Sequence, residues 1–191
     1  MEKQNQGKTD RRISKTKRAI RGALLHLMTE KEVEKITIKE VAELADVDRK
    51  TVYNYYDGVH SILDELENEL MAGFEKAMEN VEYGVENVYI LFEALTNYLT
   101  ANWDVCETLM KMEHNSRFIF NTIDFLHQKI LLAIENLNFV PSDKQRLCAS
   151  FITMGLFSVY REWFNSDRKQ SLEELSKDVG RLVLNGLFSY L

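Results

Sequence analysis

Six side chains within residues 49–55 are suited to holding nucleic acid: Arg49, Lys50, Thr51, Tyr53, Asn54 and Tyr55. Cations neutralise phosphates and hydroxyls bind phosphate oxygens, while Arg, Lys, Asn and Thr can pair with base edges in a major groove. A solvated helix face favours Glu, Lys, Gln and Ala. This face has cations, hydroxyls and an amide, with no acid between Asp48 and Asp57. The alternative is a packed helix pair with a merely polar exterior, and this composition argues against it.

Such residues must be carried on a rigid element, and the preceding sequence supplies one. Thr37 followed by Glu40 is a capping box that can satisfy two N–H groups at a helix start. Ile38, Val41, Ala42 and Ala45 then fall at i, i+3, i+4 and i+7, one helical face. Asp46 and Val47 interrupt the pattern, and Asp48 is placed to cap a second helix. On that helix Val52 and Tyr56 lie four apart and can turn inward with Val47, which leaves the polar set outward. Helix, short turn and decorated second helix form a helix-turn-helix arrangement. A helix over 11–30, with Ile13, Ile20, Ala23, Leu24, Leu27 and Met28 inward, completes a three-helix unit.

The segment resembles the DNA-binding domain of TetR-type transcriptional regulators over roughly residues 12–66. Thr37, Val41, Ala42, Ala45, Val47, Thr51, Val52, Tyr53, Tyr55 and the aromatic Tyr56 carry the resemblance. Asp46 stands where a turn glycine is usual, at a left-handed position that Asp tolerates better than most residues. Asp48 replaces the usual Ser cap, and Val59 stands where a phosphate-binding lysine is common. Candidates for base or near-base contacts are Lys39, Arg49, Lys50, Thr51 and Asn54; candidates for phosphate contacts are Thr37, Tyr53 and Tyr55. The resemblance implies a repressor that an effector releases from a near-palindromic DNA operator. A lever helix starting near Val59 would carry the signal.

Composition agrees with a regulator rather than a membrane or secreted protein. One proline and eight glycines in 191 residues leave few breakers, and no run alternates like a strand, so the chain is expected to be all-α. The net charge is −6, but residues 1–60 carry +3 and residues 61–191 carry −9. A basic end on an acidic body suits a DNA-binding domain joined to a different functional domain. The expected organisation is a flexible basic arm over 1–10, a helix-turn-helix domain over 11–58 and a helical regulatory and dimerisation domain over 59–191. The polar N-terminus gives no signal peptide, and no apolar run is long enough to span a membrane, which points to the cytoplasm. Cys106 and Cys148 are expected as reduced, buried thiols, with a redox-sensing pair as the alternative.

Helical patterns fill the body, interrupted by expected loops over 80–87, near Asn102, over 113–117 and over 138–141. Ser142 with Gln145 and Ser171 with Glu174 are capping boxes for two last helices. Both are apolar over more than one face, as helices with a second burial surface are. The resemblance implies that they form a four-helix interface between two subunits. Phe151, Gly155, Val159, Trp163, Val179, Val183, Gly186 and Leu187 are its candidate residues. Tyr89, Tyr98, Trp103, Met110, Phe118 and Phe125 are candidates to line an apolar effector pocket, although aromatics and Met at helical spacing are more often plain core.

No metal, cofactor or catalytic centre is expected. His26, His60, His114 and His127 are scattered, and Asp124 with His127 has no matching pair on a partner helix. No Gly-rich phosphate loop, nucleophile elbow or paired-cysteine motif occurs. Two rival readings use the same residues: a regulator or activator controlled by a protein partner, and a helical binding protein whose helix-turn-helix is structural.

Overall fold

The computed structural model describes residues 2–81, 87–112, 117–135 and 142–190; of these, the side chains of 2–10, 88, 142 and 187–190 are left aside. Residues 82–86 of the expected loop 80–87, residues 113–116 of the expected loop 113–117, the loop at 138–141, the Ser142 cap and Leu187 therefore lie outside what is described, while Arg117 begins α7. Nine α-helices and no strand occur among the described residues. They are α1 (Glu2–Met28), α2 (Ile38–Leu44), α3 (Arg49–Tyr53), α4 (Val59–Met78), α5 (Val88–Ala101), α6 (Trp103–Lys111), α7 (Arg117–Glu135), α8 (Ser142–Asn165) and α9 (Leu172–Tyr190). A 3₁₀ turn, Val33–Lys35, links α1 to α2. Among the described residues no helix is long and apolar enough to cross a membrane.

The chain divides into two compact units, Met1–Glu69 and Leu70–Leu191, so α4 belongs partly to each. In the first unit α1 packs on α2 and α2 on α3. Ile20, Leu24, Val41 and Val52 are fully buried between them. The first helix starts at Glu2 instead of near residue 11. Five of the nine residues 2–10 are Glu, Lys or Gln, good helix formers, and none is proline, so α1 extends through them despite the weaker Asn5 and Gly7.

The cap that starts α2 is built as its spacing requires. The Thr37 side chain accepts from the Glu40 N–H, and the Glu40 carboxylate accepts from the Thr37 N–H at 3.0 Å and the Thr37 hydroxyl at 2.9 Å. Hydrogen bonds from Lys31 first, and then from Thr37, hold the Glu40 carboxyl down at about 2. Because that value lies below the ordinary one, the stabilisation is complete at neutral pH and is lost as pH falls from about 4.5 through about 2. Thr37→Ala should cost about 1 kcal/mol in urea unfolding at pH 7. The cost should shrink on the acid side, where the wild-type cap is itself being lost.

In the second unit α7 lies along α8, α5 along α9, and α6 against α8. Phe74, Leu109, Ile134 and Phe164 form its buried centre. Gly73 leaves room for the Tyr98 ring against α4: a Cβ there would sit 3.2 Å from the Tyr98 hydroxyl, which donates to the Leu70 carbonyl. The cap of α9 matches the spacing of its residues, with Ser171 and Glu174 each accepting from the other's N–H.

Candidate nucleic-acid interface and cavity

The turn between α2 and α3 aims the candidate contact residues. Asp46 takes a left-handed backbone, φ 53°, at the position where a glycine is usual. The N–H of Asp46 then donates to Glu43 O, and that of Val47 donates to Ala42 O at 3.0 Å. These two bonds close the end of α2 in the pattern of a Schellman cap. Asp48 occupies the N-cap position of α3 with extended backbone, but its side chain makes no capping bond. It starts the helix through its carbonyl, which accepts from Thr51 and Val52 N–H.

With Val52 and Tyr56 buried, the rest of α3 turns outward. Arg49, Lys50, Tyr53 and Asn54 are exposed, and Thr51 and Tyr55 are half-buried. Lys39 on α2 is exposed and 3.8 Å from Glu43, a pair weak enough to exchange for a phosphate. Thr37 is exposed as well, yet its N–H and hydroxyl both donate to Glu40, so it serves as a cap and has no proton left for a phosphate.

The cations of α1 split into two groups. Arg11, Arg12, Lys15 and Arg18 are exposed, and Arg11, Lys15 and Arg18 recur at i, i+4 and i+7, one stripe. Lys17 and Arg21 instead face inward. Lys17 pairs with Glu65 at 2.7 Å and lies 5.4 Å from the centre of the Tyr56 ring, while Arg21 pairs with Glu69. Burial, and then the neighbouring Glu65 carboxylate, push the Tyr56 phenol well above its ordinary value. These contacts fasten the N-terminal half of α4 to α1 and to Tyr56, just past α3. No local pattern marks Lys17 and Arg21 as inward-facing, because their carboxylate partners lie about four dozen residues downstream.

A cavity of about 50 Å³ opens inside the second unit. Tyr98, Met110 and Phe118, expected from the sequence, do line it, together with Phe74, Thr153 and Tyr160, which were not anticipated. The other three candidates lie elsewhere. Phe125 packs edge-on against Phe74, and Tyr89 is 48% exposed beside Gly180. Trp103 stacks in a cluster with Trp163 and Phe164, under the Arg168 guanidinium at 5.2 Å. Arg168 also pairs with Glu107, whose carboxyl is lowered by hydrogen bonds from Lys111 and Arg168.

Cys106 and Cys148 are both buried and free. Burial pushes the Cys106 thiol up to about 12, which disfavours the thiolate that redox exchange requires. Among the described residues no three His, Cys, Asp or Glu side chains cluster as metal ligands.

The outer face of α8 carries an apolar row, to which α9 adds Leu182 among exposed Glu173, Glu174, Lys177, Asp178 and Arg181. Leu147, Phe151, Met154 and Leu182 are exposed, as are Gly155 and Gly186; Val159 and Val183 are half-buried. Two of the candidate interface residues face the other way: Trp163 and Val179 are buried within their own unit. The Trp163 indole N–H donates to Gln170 O at 2.8 Å, fixing the turn into α9.

Known proteins share this architecture. Residues 86–185, just over half of the chain, match a family model for the C-terminal region of transcriptional regulators. YxbF of Bacillus subtilis, an uncharacterized HTH-type transcriptional regulator, is 25% identical over 177 residues, which is 90% of this chain. The match covers only 46% of YxbF, so the chain spans about half the length of that relative. The fatty acid degradation regulator FadR of Bacillus halodurans superposes with a TM-score of 0.69 at 20% identity, covering 90% of this chain and 96% of that one. NalD of Pseudomonas aeruginosa, the secondary repressor of the MexAB-OprM multidrug efflux pump, gives 0.68 at 19% identity, covering 91% and 97%.

Proposed function

Because this chain belongs to the TetR family of transcriptional regulators, we propose that it is a homodimeric repressor, released from a near-palindromic operator by an effector in the cavity of its second unit. The observation that carries the DNA-binding part is the outer face of α3. Arg49, Lys50, Tyr53 and Asn54 are exposed above a core closed by Val41 and Val52. Arg49 and Lys50, in the first turn, address base edges; Thr51 and Asn54 support them, and Tyr53, Tyr55 and the exposed stripe of α1 hold phosphates.

Two copies are needed because one recognition helix covers only half a site. A two-fold dimer sets two such helices roughly 34–36 Å apart, on successive turns of the major groove. The exposed apolar row of α8, with Leu182 of α9, supplies a surface for that pairing. Release follows from α4, which is fastened to α1 through Lys17 and Arg21 near its start and contributes Phe74 to the cavity wall near its end. An effector that enlarges the cavity shifts α4 and with it the spacing of the recognition helices. Such a regulator works beside its DNA, in the cytoplasm. NalD, one of the structures that share this fold, is a repressor, which supports the same sign here.

The test is footprinting on DNA from around the protein's own gene at two salt concentrations. A protected near-palindrome is expected, with affinity falling roughly 10³- to 10⁵-fold between 50 and 200 mM salt if six to ten phosphates are contacted. Binding that ignores salt would remove the phosphate contacts from this account and leave the helix-turn-helix as scaffold.

A further inference from the structure

The two helices that carry the proposed pairing face are packed on different neighbours, α8 on α6 and α7, and α9 on α5. Their mutual setting therefore depends on the connection between them, residues 166–171, and on the contact of Tyr160 with Ser176 at 2.8 Å. That connection is pinned at several points. The Trp163 indole N–H donates to Gln170 O, and the Gln170 amide donates to Asp178 on α9 at 2.7 Å. The Arg168 N–H donates to Ser166 Oγ at 3.1 Å. Arg168 itself takes a left-handed backbone, φ 52°, which a non-glycine residue adopts only at a cost, so its side-chain contacts have to offset it.

Those contacts reach back to the ends of two helices. The guanidinium lies 5.2 Å from the centre of the Trp103 ring on α6 and 5.7 Å from that of Trp163 on α8. Nη2 donates to the Glu107 carboxylate on α6 and, at 3.4 Å, to the Phe164 carbonyl on α8. Other residues hold this seat in shape. The Trp103 indole N–H donates to one Glu107 oxygen at 2.9 Å and Lys111 to the other at 2.7 Å, while the fully buried Phe164 ring packs against both indoles. Two indoles and a carboxylate suit a planar cation. A guanidinium can stack and donate at once, whereas an ammonium is a compact point charge.

Resting on the pairing of two copies described above, we propose that Arg168 is the positioning residue of the pairing face. Seated on α6 and the end of α8, it fixes the turn from which α9 starts. It thereby sets Leu182 of α9 relative to the row of Leu147, Phe151 and Met154 on α8. A protomer without this latch keeps its helices, because α7 still lies along α8 and α5 along α9. It presents the two parts of the face in variable register.

The chain's two tryptophans are the two beside Arg168, so their emission reads the latch directly. Arg168→Gly takes the left-handed backbone freely and removes the side chain. In the full chain it is expected to shift tryptophan emission to the red and to leave far-UV circular dichroism helical. The dimer dissociation constant in sedimentation should rise at least about ten-fold, since each copy loses its latch. Arg168→Lys, which keeps the tether and the charge without the planar fork, should fall between the two. Millimolar methylguanidinium added to Arg168→Gly refills the seat and should reverse the emission shift without restoring pairing, because a free cation cannot hold a turn.

An unshifted emission in Arg168→Gly overturns the seat. A wild-type dissociation constant in that variant overturns the positioning role and leaves pairing on the α8 row standing. Recovery of pairing by methylguanidinium overturns the tether and makes Arg168 a packing residue only. If Arg168→Gly does not fold, Arg168→Lys carries the test, and a wild-type constant there overturns the planar seat. A wild-type chain that sediments as a monomer removes the pairing reading and this inference together.

Discussion

Replacing Arg49 and Lys50 together with alanine is expected to weaken operator binding by at least about three orders of magnitude and to leave the fold intact. Both side chains are exposed at the start of α3, and neither takes part in an ion pair among the described residues. Removing them therefore costs the protomer little, since exposed positions away from caps and networks stay within about 0.5 kcal/mol. The effect on DNA is larger because a well-placed base contact discriminates by about 1–3 kcal/mol and a dimer loses each contact twice. Anisotropy of labelled operator across a salt series measures the loss. Circular dichroism melting, unchanged from wild type, shows that the fold is not its cause. Lys17→Ala gives the contrast: it breaks the pair with Glu65 and should lower the melting temperature before it alters sequence preference. Unchanged operator affinity in the Arg49/Lys50 variant would remove α3 from the recognition surface.

What the amino-acid order disclosed and what it hid differ by the range of the interaction. The helix-turn-helix rests on local rules. Thr37 and Glu40 cap each other three residues apart, Asp46 takes the left-handed turn, and Val52 with Tyr56 repeats at helical spacing. Each is decided by neighbours within a turn or two, so pattern reading reaches it. The inward Lys17 and Arg21 are decided by Glu65 and Glu69, on another helix, and no local pattern announces them. The cavity shows the same limit. Tyr98 and Phe118 look no different in sequence from Phe125 or Trp103. Which of them borders empty space is set by how helices rotate against one another, down to a contact such as Phe125 on Phe74.

Helices α8 and α9 pose that problem in its sharpest form, and the largest effect on assembly comes from it. A helix apolar on two faces does not reveal which stripe meets its own core. Here Ala149, Thr153, Leu156 and Tyr160 go inward, and Leu147, Phe151 and Met154, at i, i+4 and i+7, go outward. Phe151 is 79% exposed and stands in one row with exposed Leu147 and Met154, and a clustered apolar patch, unlike a lone exposed side chain, marks an interaction surface. Exposed Ser150, Gly155 and Ser158 beside them leave room for another helix to approach closely. If a second copy covers this face, Phe151→Glu places two like charges near a two-fold axis and removes an aromatic anchor from each side. Anchors of that kind are worth about 2 kcal/mol or more apiece, so the dimer dissociation constant should rise by at least about a thousandfold. Sedimentation should then show monomer at micromolar concentration. Operator binding should fall to that of a half-site, because the second recognition helix is no longer held at high effective concentration beside the first. The substitution sits in solvent in the isolated protomer, so far-UV circular dichroism should stay helical. Phe151→Ala should give a smaller rise, from the lost apolar contact alone. A Phe151→Glu protein that still sediments as a dimer and still protects a full operator would place the subunit contact on another face.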